Sequence, residues 1–233
     1  MKPTKLISIL LALILCFSAL VGCDLLGEEE FDPNMPRETA RDYLRYANYC
    51  LSNTPYKLTT YTTSVVEGEE ITDVSVIHND GINYYEHDEE TQITLVYCDG
   101  FYYVGTPYTK KKLSISVNEL YSYIQTEEDV APLSDVTDYV KDKDLELIAN
   151  EDGTKVLKFT VNIPFFGNTS YEIHFDKNDL ITKQIISAEG SLAGYGFSTY
   201  CEGIIEFGEQ YRVTPPADAD QYEEVSSFLE FAY

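Results

Sequence analysis

Residues 91–105 read TQITLVYCDGFYYVG. Ile93, Leu95 and Tyr97 alternate with Gln92 and Thr94, then Asp99-Gly100 interrupts and a second short aromatic run, Phe101 to Val104, follows. Successive side chains of a strand point to opposite faces, so Ile93, Leu95 and Tyr97 share one face. Asp-Gly tolerates the positive backbone angles of a tight hairpin turn. The stretch therefore predicts two antiparallel strands joined by a two-residue loop.

The same grammar extends in both directions. Upstream lie YKLTTYTTSVV (56–66), EGEE, ITDVSVIHN (71–79), Asp80-Gly81 and INYYEH (82–87), which complete a meander of five strands. Downstream lie DLELIAN (144–150), KVLKFTVNI (155–163), TSYEIHFD (169–176), LITKQIISA (180–188) and STYCEGIIEF (198–207), separated by Gly, Asn and Asp turns. Leu157, Phe159, Val161 and Ile163, with Tyr171, Ile173 and Phe175, fall on one face, while Lys158, Thr160, Asn162, Glu172 and His174 fall on the other. One face of the sheet is expected to be covered and the other wet. Parallel βαβ repeats are absent from the pattern, and the class expected is α+β with one large, curved antiparallel sheet.

Helices come from three places. Pro36 and Glu38 open a segment in which Ala40, Tyr43, Leu44, Ala47 and Leu51 recur at helical spacing. Ser116 and Glu119 have the spacing of a capping box ahead of Leu120, Tyr121 and Ile124. A third short helix is expected in SDVTDYVKD (134–142).

At the other end of the chain, ISILLALILCFSALVGCD (7–24) decides where the protein lives. Lys2 and Lys5 precede an uncharged run from Leu6 to Leu20, shorter than the roughly 20 residues a spanning helix needs but suited to a secretion signal. The run ends at Gly22-Cys23 and resembles the lipobox of bacterial lipoproteins, in which the chain is cut before the cysteine and its sulfur carries lipid. The organisation expected is a signal peptide at 1–22, a lipidated acidic tether at 23–35, one domain at 36–211 and a C-terminal extension at 212–233 with a short helix. Two acyl chains on Cys23 would make a durable anchor in the cell membrane, facing the extracytoplasmic side.

Composition narrows the partners. The formal net charge is −24, and removal of residues 1–22 takes away two lysines and no acid. Such a surface repels nucleic acid and anionic headgroups. Twenty Tyr and eleven Phe, with no Trp, mark a chain built to fold rather than a disordered acidic one. Beyond Cys16 and Cys23 stand Cys50, Cys98 and Cys201, compatible either with one disulfide that includes Cys50 or with three buried thiols.

The chain carries no GxSxG, HExxH, Walker or GxGxxG motif, so no catalytic residue, cofactor or metal is expected. His78, His87 and His174 read as surface residues. Asp176, Asn178 and Asp179, or Asp218 and Asp220, are the best local calcium ligands, but in the first group Leu180 stands where an EF-hand requires an oxygen donor and Ile181 where it requires Gly.

The order of lipobox, acidic tether, N-terminal helix, hairpins on DGINYYEH and DGFYYVG, inserted helices, and strands joined by FDKNDLITKQI resembles the LolA and LppX superfamily of exported lipoprotein and lipid carriers. The resemblance implies an unclosed barrel wrapped around two or three helices, with acyl chains held between them. Leu95, Tyr97, Leu157, Phe159, Tyr171 and Ile173 would then line a concave ligand site. The function expected is a membrane-anchored carrier of a lipid or lipid-linked molecule. The alternative is a non-enzymatic envelope interaction or structural module with a filled core and a protein partner.

Overall fold

The computed structural model describes residues 32–116, 118–120, 140–163, 167–192 and 195–232. Cys23, the signal peptide, most of the tether and the expected helix at 134–142 up to residue 139 lie outside them.

Helix α1, Ala40–Asn53, begins where Thr39 and Asp42 satisfy each other's backbone N–H groups in a capping box. Its buried stripe is Tyr43, Leu44, Ala47, Cys50 and Leu51. Strands β1 (Tyr56–Val66), β2 (Glu69–Asn79), β3 (Tyr84–Asp88), β4 (Thr94–Cys98), β5 (Phe101–Gly105) and β6 (Lys110–Ser114) form the first meander. The second is β7 (Glu146–Ala149), β8 (Lys155–Ile163), β9 (Gly167–Phe175), β10 (Ile181–Leu192) and β11 (Tyr195–Phe207). At the Asp99-Gly100 turn both residues have positive φ, 53° and 78°, as the hairpin reading requires. Residues 118–120 are helical, and the Glu119 carboxylate accepts from the Ser116 amide at 3.0 Å and from its hydroxyl.

The two meanders join edge to edge, β1 against β11, into one sheet in the order β12-β6-β5-β4-β3-β2-β1-β11-β10-β9-β8-β7. The expectation of a purely antiparallel curved sheet, an unclosed barrel wrapped around two or three helices, is corrected on two counts. β12 (Glu223–Val225) pairs parallel to β6. The sheet neither curls nor closes, and its outer strands β12 and β7 are only three and four residues long. Geometry gives the reason. Twelve strands at about 4.8 Å spacing extend over about 50 Å, whereas a 14-residue helix is about 21 Å long. α1 covers one half of one face, and the C-terminal segment supplies other cover.

The main core lies under α1. Tyr43, Leu44, Ala47 and Leu51 pack with Tyr56, Leu58, Ile77, Leu157, Phe159, Ile173, Phe175 and Ile205. Burial of each such side chain is worth about 1.5–3 kcal/mol. The opposite face of β8–β11 and β1 carries a ladder of ion pairs, Lys158–Glu172 at 2.7 Å, Lys183–Glu202 at 3.5 Å and Lys57–Glu206 at 3.5 Å, and faces solvent.

Three consecutive lysines of β6 hold the C-terminal segment on both faces of the sheet. Lys110 pairs with Asp218 and Lys112 donates to the Ala219 carbonyl, while Lys111, pointing the other way, donates to the Glu230 carbonyl. Residues 228–232 form a 3-10 turn whose Phe228 and Phe231 pack on Tyr102. Cys50, Cys98 and Cys201 are all buried.

Candidate functional site

Strand register builds a surface on the side of the sheet away from α1. His78, Tyr85, Val96, Tyr103 and Lys112 stand opposite one another across β2 to β6. Val76, His87, Thr94, Gly105 and Lys110 form the next row on the same face. Residues 208–222 run over these rows. The Cys98 thiol reaches the Val213 carbonyl at 3.8 Å, the Val213 amide donates to Asp80 at 3.2 Å, and the Tyr222 ring meets Tyr103 edge-on at 5.3 Å. Val96, Cys98, Tyr103, Val213 and Tyr222 form a small core of their own.

The segment does not seal the surface it crosses. A cleft of about 810 Å³ remains, lined from the sheet by His78, Tyr85, His87, Thr94 and Gly105 and from above by Gln210, Thr214, Pro215, Pro216 and Tyr222. Tyr222 reaches into it because residue 105 is glycine: a Cβ there would stand 2.9 Å from the Tyr222 hydroxyl. The His78 ring lies between Tyr85, at 5.1 Å, and Tyr211, at 5.4 Å. Burial, assisted by Lys57, lowers the pKa of His78 and keeps the ring neutral at physiological pH. Burial raises that of the Tyr85 phenol, and burial followed by Asp218 raises that of Tyr222. His87 Nδ1 lies 3.0 Å from Thr94 Oγ1. The charged groups at the rim are spent on each other, Lys110 on Asp218 and Arg212 on Glu209 at 2.9 Å. The hydroxyls of Tyr85, Tyr222 and Thr214 and the amide of Gln210 have no hydrogen-bond partner among the described residues.

The six residues expected to line a ligand site lie on the α1 side and are divided. Leu157, Phe159, Tyr171 and Ile173 are brought together in the core beneath α1, with Phe159 stacked on Tyr171 at 4.9 Å. Tyr97 belongs to a separate cluster with Leu113, Ile115, Leu120 and Val225, and half-buried Leu95 stands opposite Glu86. The cleft residues were legible only in part. The unbroken apolar run Leu95-Val96-Tyr97-Cys98 signals cover on both faces of β4, and Lys110-Lys111-Lys112 in so acidic a chain signals a docked segment.

The α1 side also holds a carboxylate group that the sequence pattern does not single out. Glu86 is 5% exposed, accepts from the Tyr84 hydroxyl, and burial pushes its pKa up to about 7. Asp73 is raised by burial and by Asp88 beside it. The Tyr102 phenol is raised by burial and then by Glu86. Among the described residues no group of three or more His, Cys, Asp or Glu could hold a metal ion. In the turn weighed for calcium, the Asp176 carboxylate accepts from the Asn178 and Leu180 amides, and Asp179 accepts from Lys155, Tyr43 and Arg37. Among the described residues no helix is long and apolar enough to cross a membrane.

No protein-family model matches the chain, and no curated protein sequence matches it. Three solved structures align with this chain at 9–11% identity and TM-scores of 0.28–0.35. A LolA superfamily protein from Nitrosomonas europaea superposes with a TM-score of 0.35 and 10% identity, over 74% of this chain and 95% of that one. A DUF1329 family protein from Desulfovibrio piger gives 0.29 and 11%, over 73% and 92%. A domain described as an outer membrane lipoprotein-sorting protein, from Vibrio parahaemolyticus, gives 0.28 and 9%, over 67% and 86%.

Proposed function

We propose that this chain is a non-enzymatic binding module, anchored by lipid on Cys23 to the extracytoplasmic face of the cell membrane, with a filled core under α1 and its binding surface in the cleft on the other side of the sheet. The observation that carries this reading is the contrast between the two faces. Leu157, Phe159, Tyr171 and Ile173 are no more than 6% exposed against the protein's own helix, whereas the opposite face keeps about 810 Å³ open beneath residues 208–222. A site of this size, with aromatic walls and a few unspent polar groups, has the character of a small-molecule or peptide site. The net charge of −24 disfavours nucleic acid as its partner.

The carrier reading, in which Leu95, Tyr97, Leu157, Phe159, Tyr171 and Ile173 line an acyl-chain site, requires α1 to lift from the core it covers. One experiment separates the two. The protein is purified from membranes of cells fed a labelled fatty acid, then extracted with organic solvent for lipid mass spectrometry. Covalent label and membrane association, both lost in Cys23→Ala, with no stoichiometric lipid in the extract, are the results expected. An unlabelled Cys23 overturns the anchor, and a stoichiometric extractable lipid replaces the filled-core module with the carrier.

A further inference from the structure

We infer that the cleft between the β2–β5 surface and residues 208–222 binds a neutral oligosaccharide. The inference deepens the binding-module reading and rests on it. The argument is one of matching chemistry. Lys110 and Asp218 neutralise each other, as do Arg212 and Glu209, so the cleft presents no unspent charge from these groups. An anionic ligand would also have to approach a chain of net charge −24. A cationic one would find Asp218 already occupied.

A neutral ligand must therefore supply both apolar surface and hydrogen-bonding groups. The cleft offers the half-buried Tyr85 ring together with Pro215 and Pro216, and around them the hydroxyls of Tyr85, Tyr222 and Thr214 and the amide of Gln210, whose hydrogen-bonding capacity is unspent among the described residues, while the Tyr222 ring itself is buried against Tyr103. A sugar ring has this pairing of surfaces, a C–H face that lies on an aromatic ring and a rim of hydroxyls that both donate and accept. Phenol and carboxamide groups can likewise do both. A purely apolar ligand would leave these polar groups unpaired, at a cost in affinity. The volume of about 810 Å³ lies within the roughly 300–1,000 Å³ of small-molecule sites and leaves room for more than one sugar ring.

The test titrates the full lipoprotein, purified in a detergent without a sugar headgroup, with chitotriose, cellotriose and maltotriose by calorimetry. Tyr85→Phe removes one hydroxyl and keeps the ring. Gly105→Ala narrows the floor of the cleft next to the Tyr222 hydroxyl. At least one trisaccharide should bind, each variant should weaken it about tenfold, the worth of one lost hydrogen bond or a displaced ring, and an acidic oligosaccharide of equal length should bind less well. Circular dichroism and the protection of Cys98 from thiol reagents report on each variant's fold. Failure of all three sugars to bind, binding that ignores both variants, or binding of a proline-rich peptide in place of the sugars overturns the proposal. Fatty-acid labelling and lipid extraction on the same preparation show whether the wider reading has failed with it.

Discussion

Replacing Glu86 by Gln should stabilise the protein above neutral pH, and the size of the gain follows from where the carboxylate sits. Glu86 is on β3, opposite Ile77 of β2 and Leu95 of β4, with Tyr84 and Asp88 on its own strand and Asp73 and Tyr102 nearby. Burial lifts its pKa from 4.5 to about 7, against the downward pull of the Tyr84 hydroxyl. The folded state therefore holds the proton more tightly than the unfolded state does. Its contribution to stability is complete below about pH 4.5 and is lost as pH rises towards 7. A shift of this size corresponds to about 3 kcal/mol at pH 8, at about 1.4 kcal/mol per pH unit. Glutamine keeps an acceptor for Tyr84 and carries no charge to bury, although the weaker bond returns about 1 kcal/mol. The net gain at pH 8 is then about 2 kcal/mol, or roughly 4–8 °C in Tm for a domain of this size. It should vanish by pH 4. Since the chain has no Trp, urea and thermal unfolding are best followed by circular dichroism at pH 4, 6 and 8. A variant less stable than the parent at pH 8, or a difference that does not change with pH, would refute the buried-carboxylate argument.

Asp179→Ala removes the shared acceptor of Lys155, Tyr43 and Arg37 that ties α1 to the β9–β10 turn, and should cost about 1–2 kcal/mol in urea unfolding at pH 7, less than a fully buried pair because the carboxylate is 22% exposed. Burial pushes this carboxyl up, but the three donors outweigh it and hold it below its usual range, so the difference from the parent should be complete above about pH 4 and shrink as pH falls further. Gly81→Ala should cost about 1–3 kcal/mol in thermal unfolding, because φ is +95° and a Cβ would stand 2.4 Å from the Ser52 carbonyl oxygen; an unchanged Tm would deny that close approach. Cys50, Cys98 and Cys201 should react with a thiol reagent only after denaturation, and rapid reaction of any of them in the native protein would contradict their burial.

Much of the strand and turn structure was legible because it is local. Alternation between apolar and polar residues places Leu157 and Phe159 on one face and Lys158 and Thr160 on the other whatever the rest of the chain does, and the structure keeps that division. Asp99-Gly100 turns where it should because both residues accept positive φ. The candidate site was far less legible. His78, Tyr85, His87 and Gly105 become neighbours through pairings of β2 with β3, β3 with β4 and β4 with β5, and acquire a roof only from residues more than a hundred positions later. The lining expected for a ligand site, Leu157, Phe159, Tyr171 and Ile173, falls on the α1 side, where the helix stripe Tyr43, Leu44, Ala47 and Leu51 already occupies the apolar surface.

The sequence by itself determined β1–β5 and β7–β11, their hairpins, helix α1 and an acidic, tyrosine-rich composition, since each depends on contacts within a few residues or on composition alone, whereas β6 and β12 were not legible in it. Only the tertiary structure decided that β1 pairs with β11, that β12 adds parallel to β6, that the sheet stays open, and that residues 208–222 lie over β2–β5. These outcomes depend on which distant surfaces compete for the same apolar face. No local pattern records the winner of that competition, because the free energy that settles it comes from burial shared between segments far apart in the chain.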